Sequence, residues 1–150
     1  MYKSNMNRRN QIIIIVLILI IGGIYYYTRT KTDFAEATRI IDDFYSCVML
    51  NDTYATEPLY HQDFLEVSNI DDTCRFITMI NSKLGEIVEY KNENINMKSY
   101  TGTDGSYIKV ELEYLVTRTK YDSKETFVLL KEDTGYFIYG YNVNSIGLIE

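Results

Sequence analysis

The run Gln11–Tyr27, QIIIIVLILIIGGIYYY, constrains this chain more than any other stretch. From Ile12 to Ile24 it contains no polar side chain, and Tyr25, Tyr26 and Tyr27 extend it as an interfacial aromatic belt does. As a helix, about 16 such residues cover ~24 Å, short of the ~30 Å hydrocarbon core. Local bilayer thinning and snorkelling of Arg9 and Arg29 absorb a mismatch of that size. Three readings compete. An uncleaved signal anchor keeps Lys3, Arg8 and Arg9 in the cytoplasm by the positive-inside rule. A cleaved signal peptide has an apolar region of this length, but here no small-x-small site follows it, and no Cys stands just after it for lipoprotein processing. A core helix in a domain this small keeps one face toward water, and this run is apolar all round. The anchor is therefore the expectation. It implies a cytoplasmic tail over 1–10, a bilayer-spanning segment over 11–27, a linker over 28–32 and an extracytoplasmic domain over 33–150, in a bacterial inner or plasma membrane.

Charge divides at the same place. Residues 1–32 hold five of the 15 basic residues and none of the 21 acids, so they carry +5; residues 33–150 carry −11. A domain at −11 repels phosphate, which argues against nucleic-acid binding. One His and two well-separated Cys do not make a zinc site, and no cofactor is expected.

Beyond Thr28 the pattern is that of a folded domain. Asp33 with Glu36 forms a capping-box-like start. Phe34, Ala37, Ile41, Phe44, Tyr45 and Val48 then recur at helical spacing, predicting a helix over 33–50 that Asn51-Asp52 stops. A shorter helix is expected over 56–66 with Pro58 in its first turn. A third, capped by Asp71 or Asp72, turns Phe76, Ile77, Ile80 and Leu84 inward and ends at Gly85. The period then changes from 3.6 to 2. In SYIKVELEYLV, Ile108, Val110, Leu112, Tyr114 and Val116 alternate with mostly polar residues. Further strands are expected over 87–100, 125–131 and 136–144, separated by the turn residues of 101–105, 122–123 and 133–135. Three helices followed by a four-stranded antiparallel meander read as an α+β domain, with the helices on one face of a curved sheet.

This layout resembles the cystatin-like, nuclear-transport-factor-2-like cone, especially its short bacterial domain-of-unknown-function versions behind an N-terminal anchor. The stretch that carries the resemblance is Glu125-Thr126-Phe127-Val128-Leu129-Leu130-Lys131-Glu132-Asp133-Thr134-Gly135-Tyr136-Phe137-Ile138-Tyr139-Gly140-Tyr141, with Tyr136 where those families typically have Trp. The resemblance covers 33–146 and bears on fold more than activity, because the fold hosts enzymes, ligand binders and scaffolds alike.

P-loop, GxGxxG, HExxH and GxSxG motifs are absent. His61, in Tyr60-His61-Gln62-Asp63, is read as a surface residue of a short polar helix. The resemblance makes a His at the cone mouth worth weighing as a general base. Asp71-Asp72 reads as a helix cap and Asp42-Asp43 as a solvated face rather than calcium ligands. Cys47 and Cys74 are either a disulfide or two buried thiols. As a bond they would close a loop of about 27 residues, worth roughly 3.5 kcal/mol. Among the 15 Tyr, Tyr139 and Tyr141 share one face of the last strand, and Tyr114 lies on the apolar face of its own. If the cone is hollow, these three with Tyr45 and Phe64 are the candidate lining.

The leading expectation is a non-enzymatic, membrane-tethered domain that binds a protein partner or itself. In this it looks like the inner-membrane scaffold subunits of type IV secretion and conjugation machines. The alternatives are a binder of a small apolar or amphipathic ligand in the cone, and an isomerase- or dehydratase-like enzyme. An enzyme requires an ionisable residue at the pocket floor.

Overall fold

A computed structural model describes residues 8–102 and 105–149, without the side chains of 8–12, 30, 101–102 and 105–106. Lys3 and the rest of the expected tail up to residue 7 lie outside the described residues, as do the tip positions Thr103 and Asp104 and the side chains of Arg8 and Arg9. The chain divides into two compact units, Met1–Ala35 and Glu36–Glu150.

Helix α1 is Arg8–Met49. The capping start expected at Asp33 and the linker expected over 28–32 are thus both helical. Nothing in Thr28-Arg29-Thr30-Lys31-Thr32 breaks a helix, since it has neither Gly nor Pro. The Thr28 hydroxyl donates back to the carbonyls of Ile24 and Tyr25, and the Thr32 hydroxyl to that of Thr28, so both sit as helix-interior residues. In the first unit every side chain from Ile13 to Arg29 is exposed. The helix is long and apolar enough to cross a membrane.

In the second unit α1 ends where Asn51 adopts a left-handed conformation, φ 59°. The Asp52 N–H then closes on the Cys47 carbonyl at 3.0 Å. The stretch expected as one helix over 56–66 is two short elements, a 3-10 turn over Thr53–Leu59 and α2 over Gln62–Val67. Between them Tyr60 bridges to Ile138 in parallel, and the His61 N–H donates to the Ile138 carbonyl at 2.9 Å. Helix α3 is Ile70–Leu84. Its cap is Asn69, whose side chain accepts from the Asp72 N–H, rather than either Asp. Thr73, Cys74, Ile77, Ile80 and Leu84 form its buried face; Phe76, expected inward, is one position off that stripe and 38% exposed.

The four strands are β1 Ile87–Gly102, β2 Gly105–Arg118, β3 Ser123–Glu132 and β4 Gly135–Asn144. They form one antiparallel sheet in the order β1-β2-β3-β4. Helices followed by this meander give the α+β architecture and element order expected from the sequence. The alternating residues Val110, Leu112, Tyr114 and Val116 face inward with Phe127, Leu129, Tyr136 and Ile138. Against them pack Ala37, Ile41, Phe44, Tyr45 and Val48 of α1, with Ile77 of α3, as one continuous core. Lys109, Glu111 and Glu113 point to the other, wetter face.

Candidate functional site

A charge lies at the centre of this apolar core. Glu125 follows Ser123 and precedes Phe127 and Leu129 on the inward register of β3, and it is wholly buried. Burying a carboxylate costs several kcal/mol unless it is paired and hydrogen-bonded. Here both oxygens are engaged. Oε1 accepts from Arg118 Nη2 at 2.7 Å and from the Ser123 hydroxyl at 2.8 Å. Oε2 accepts from the Tyr141 hydroxyl at 2.7 Å and the Tyr45 hydroxyl at 3.1 Å. Four donors meet about four lone-pair positions, so the carboxylate is saturated.

Arg118, at the end of β2, is itself buried and makes three further hydrogen bonds. Its Nη1 donates to Asn81 Oδ1 at 2.8 Å and to the Gly85 carbonyl at 3.2 Å, and its Nε donates to the Ser123 hydroxyl at 3.3 Å. One ion pair thereby ties α1, α3, β2, β3 and β4 together. Burial, and after it the neighbouring Glu125 charge, raises both phenols, Tyr45 and Tyr141, well above the ordinary tyrosine range. They keep their protons at neutral pH and act as donors.

The expected lining is redistributed. Tyr45 and Tyr114 are fully buried and in ring contact with their neighbours: Tyr45 stacks on Tyr90 at 4.2 Å and meets the edges of Tyr114 and Phe127 at 5.6 and 5.7 Å. Tyr141, half-buried, stacks on Phe127 at 4.6 Å. These three rings fill the centre of the domain instead of bordering a hollow. Phe64 stacks on Tyr60 at 4.9 Å, beside the edge of β4. Tyr139 does not share a face with Tyr141. Val128 pairs with Gly140 but Leu129 with Ile138, so Tyr139 is the extra residue of a bulge. The bulge turns Tyr141 inward and leaves Tyr139 43% exposed.

Tyr139 instead borders an open groove of about 400 Å³, lined also by His61, Asp63, Tyr107, Lys109 and Leu130. His61 is placed by the bridge that runs α2 along β4. Its Nδ1 accepts from the Asp63 N–H at 3.2 Å, so in the neutral ring the proton is on Nε2. That nitrogen stands 2.8 Å from Glu132 Oε1. The ring packs edge-on to Tyr139 with centroids 5.6 Å apart. His61 is thus a mostly buried side chain with partners at both ring nitrogens rather than a free surface residue.

Cys47, half-buried near the end of α1, and Cys74, buried in α3, are unbonded in this structure. Of the candidate acid pairs, Asp71-Asp72 has other partners and Asp42-Asp43 is exposed. The Tyr54 hydroxyl donates to Asp71 at 2.8 Å, Arg75 pairs with Asp72 at 3.0 Å, and Asp42 is exposed on α1. Among the described residues no three His, Cys, Asp or Glu side chains converge as a metal site.

Neither Glu125 as an interior acid nor the His61–Glu132 pair was singled out by the sequence. Glu125 had only an ambiguous local signal, an acid on the Ser123-Phe127-Leu129 register beside an equally apolar opposite one. The His61 pair depends on a bridge between distant segments and had none.

No family model matches the chain, and neither does any curated protein. Among solved structures it is similar to a Novosphingobium aromaticivorans protein with the provisional name scytalone dehydratase. The TM-score is 0.49 at 10% identity, over 77% of this chain and 85% of that one.

Proposed function

We propose that this chain is a membrane-anchored extracytoplasmic interaction domain, held in the bilayer by 11–27 and engaging a protein partner or a second copy through 33–150. The observation that carries this reading is the unbroken exposure of an apolar surface: every side chain from Ile13 to Arg29 is exposed, Ile and Leu included. An apolar surface of that extent is not kept in water. The charge asymmetry of +5 against −11 supports a cytoplasmic tail and an outward domain. A non-enzymatic role is supported by the interior, where the buried acid has spent its acceptor positions and the tyrosines are in ring contact.

Membrane fractionation and external proteolysis of intact cells test the reading. The full-length mass should be recovered in the membrane fraction, and added protease should digest the domain beyond residue 33. A shortened mass in the soluble fraction, or complete protection from protease, overturns it. In-membrane crosslinking then identifies what the domain touches.

A further inference from the structure

The face of the sheet turned away from the core carries an unbalanced pair of cations. Lys98 of β1 and Lys109 of β2 are direct cross-strand partners. Like charges placed opposite each other on one sheet face repel and destabilise the pairing. In a domain with eleven more acids than bases, such a pair would ordinarily find a carboxylate. Among the described residues neither lysine has an ion pair or hydrogen bond, although Glu111 lines the same small cleft. The acid at the adjoining end of β3, Glu132, is engaged by His61 at 2.8 Å.

Beside the lysines stand exposed rings. Tyr100 and Tyr107, the next cross-strand pair, stack at 5.1 Å. Tyr107 is 49% exposed, and across the groove Tyr139 is 43% exposed. Lys109 and Leu130 lie between those two rings in the register of β2 and β3. The groove's volume of about 400 Å³ holds a small ring compound.

We propose that this groove binds a small aromatic anion, its carboxylate or phosphate over Lys109 and Lys98 and its ring between Tyr107, Leu130 and Tyr139. The anion relieves the cross-strand repulsion, and the tyrosine faces supply the stacking surface. The site lies on the outer face of the sheet, away from the Glu125 centre. It does not depend on the anchor.

The test uses the full chain in a zwitterionic detergent, titrated by calorimetry with 4-hydroxybenzoate and with phenyl phosphate, the two arms separating the carboxylate from the phosphate. At least one should bind, with phenol, which lacks the anion, at least about tenfold weaker. Lys109→Gln should weaken that binding by about tenfold or more. Because this substitution removes a repulsion, the ligand-free variant should unfold at the same temperature as the parent or higher. Three results overturn the proposal: binding of neither probe, equal binding by Lys109→Gln or of phenol, or a lower unfolding temperature in the ligand-free variant, which would mean Lys109 already has a partner.

Discussion

Arg118 Nη2 stands 2.7 Å from Glu125 Oε1, with at most 1% of either side chain reached by solvent. Two ions taken from water recover their hydration cost only through geometry and further hydrogen bonds, which this pair has. Removing one partner strands the other. Glu125→Gln should therefore destabilise the domain by about 3–5 kcal/mol, whereas the double change Arg118→Met with Glu125→Gln should recover part of that loss, because it leaves no unpaired charge and keeps an acceptor for the tyrosine hydroxyls. Urea unfolding of the full chain in detergent reads both. A loss under about 1 kcal/mol in the single variant would show that the pair does not hold the core.

Tyr45 and Tyr141 donate to the same oxygen, Oε2 of Glu125, from α1 and β4. Hydrogen bonds to a charged group are worth about 1.5–3 kcal/mol each. Tyr45→Phe and Tyr141→Phe should each cost about that much, with Tyr141, at 2.7 Å, costing more than Tyr45, at 3.1 Å. The double variant should depart from additivity, because the two donors share one acceptor. Additive losses in a double-mutant cycle would mean that the two hydroxyls act independently.

These two relationships show where the sequence stops being readable. Helix α3 and strand β2 follow from periodicity, a wet face and a dry face alternating visibly in β2, and the other three strands follow from the turn residues between them. In β3 both registers are largely apolar: Phe127 and Leu129 on one, Val128 and Leu130 on the other. The acid at position 125 could therefore be assigned to either side. In β4 strict alternation places Tyr139 with Tyr141, and a single bulged residue reverses that. Gly140 was the local sign of it, because a glycine inside a strand often marks a bulge. The start at Asp33 failed for a different reason. A good capping residue ends nothing when the preceding turn is already helical, and Thr28 and Thr32 bond back into that turn.

Alkaline titration should separate the tyrosines into two classes. Burial raises the Tyr45, Tyr60 and Tyr141 hydroxyls above the ordinary value near 10 and pushes Tyr114 up to about 12. In the unfolded chain all four ionise near 10. The folded state therefore binds more protons than the unfolded state above that pH, and stability falls as pH rises. Their contribution is complete below about 10 and is lost above it. Phenolate absorbance followed with circular dichroism should show one set ionising while the dichroism is still that of the folded chain. A second set should ionise only as the fold is lost. A single non-cooperative titration of every tyrosine would contradict the packing of these hydroxyls.

Gly85 closes α3 at φ 86° and ψ 179°, a conformation that residues with a Cβ avoid. A Cβ there would run into the Thr119 hydroxyl and sit 3.0 Å from the Lys120 nitrogen. The position cannot relax cheaply. The Thr119 hydroxyl accepts from the Glu86 N–H at 3.0 Å, and the Gly85 carbonyl accepts from Arg118 at 3.2 Å. Displacing either neighbour thus disturbs the link that carries Arg118 to Glu125. Gly85→Ala should cost about 1–3 kcal/mol from backbone strain alone, and more if the Arg118 contact is lost. Combining it with Glu125→Gln discriminates between the two contributions. If strain is the whole effect, the losses add. If Gly85 also positions Arg118, the double variant loses less than the sum, because the ion pair is already gone.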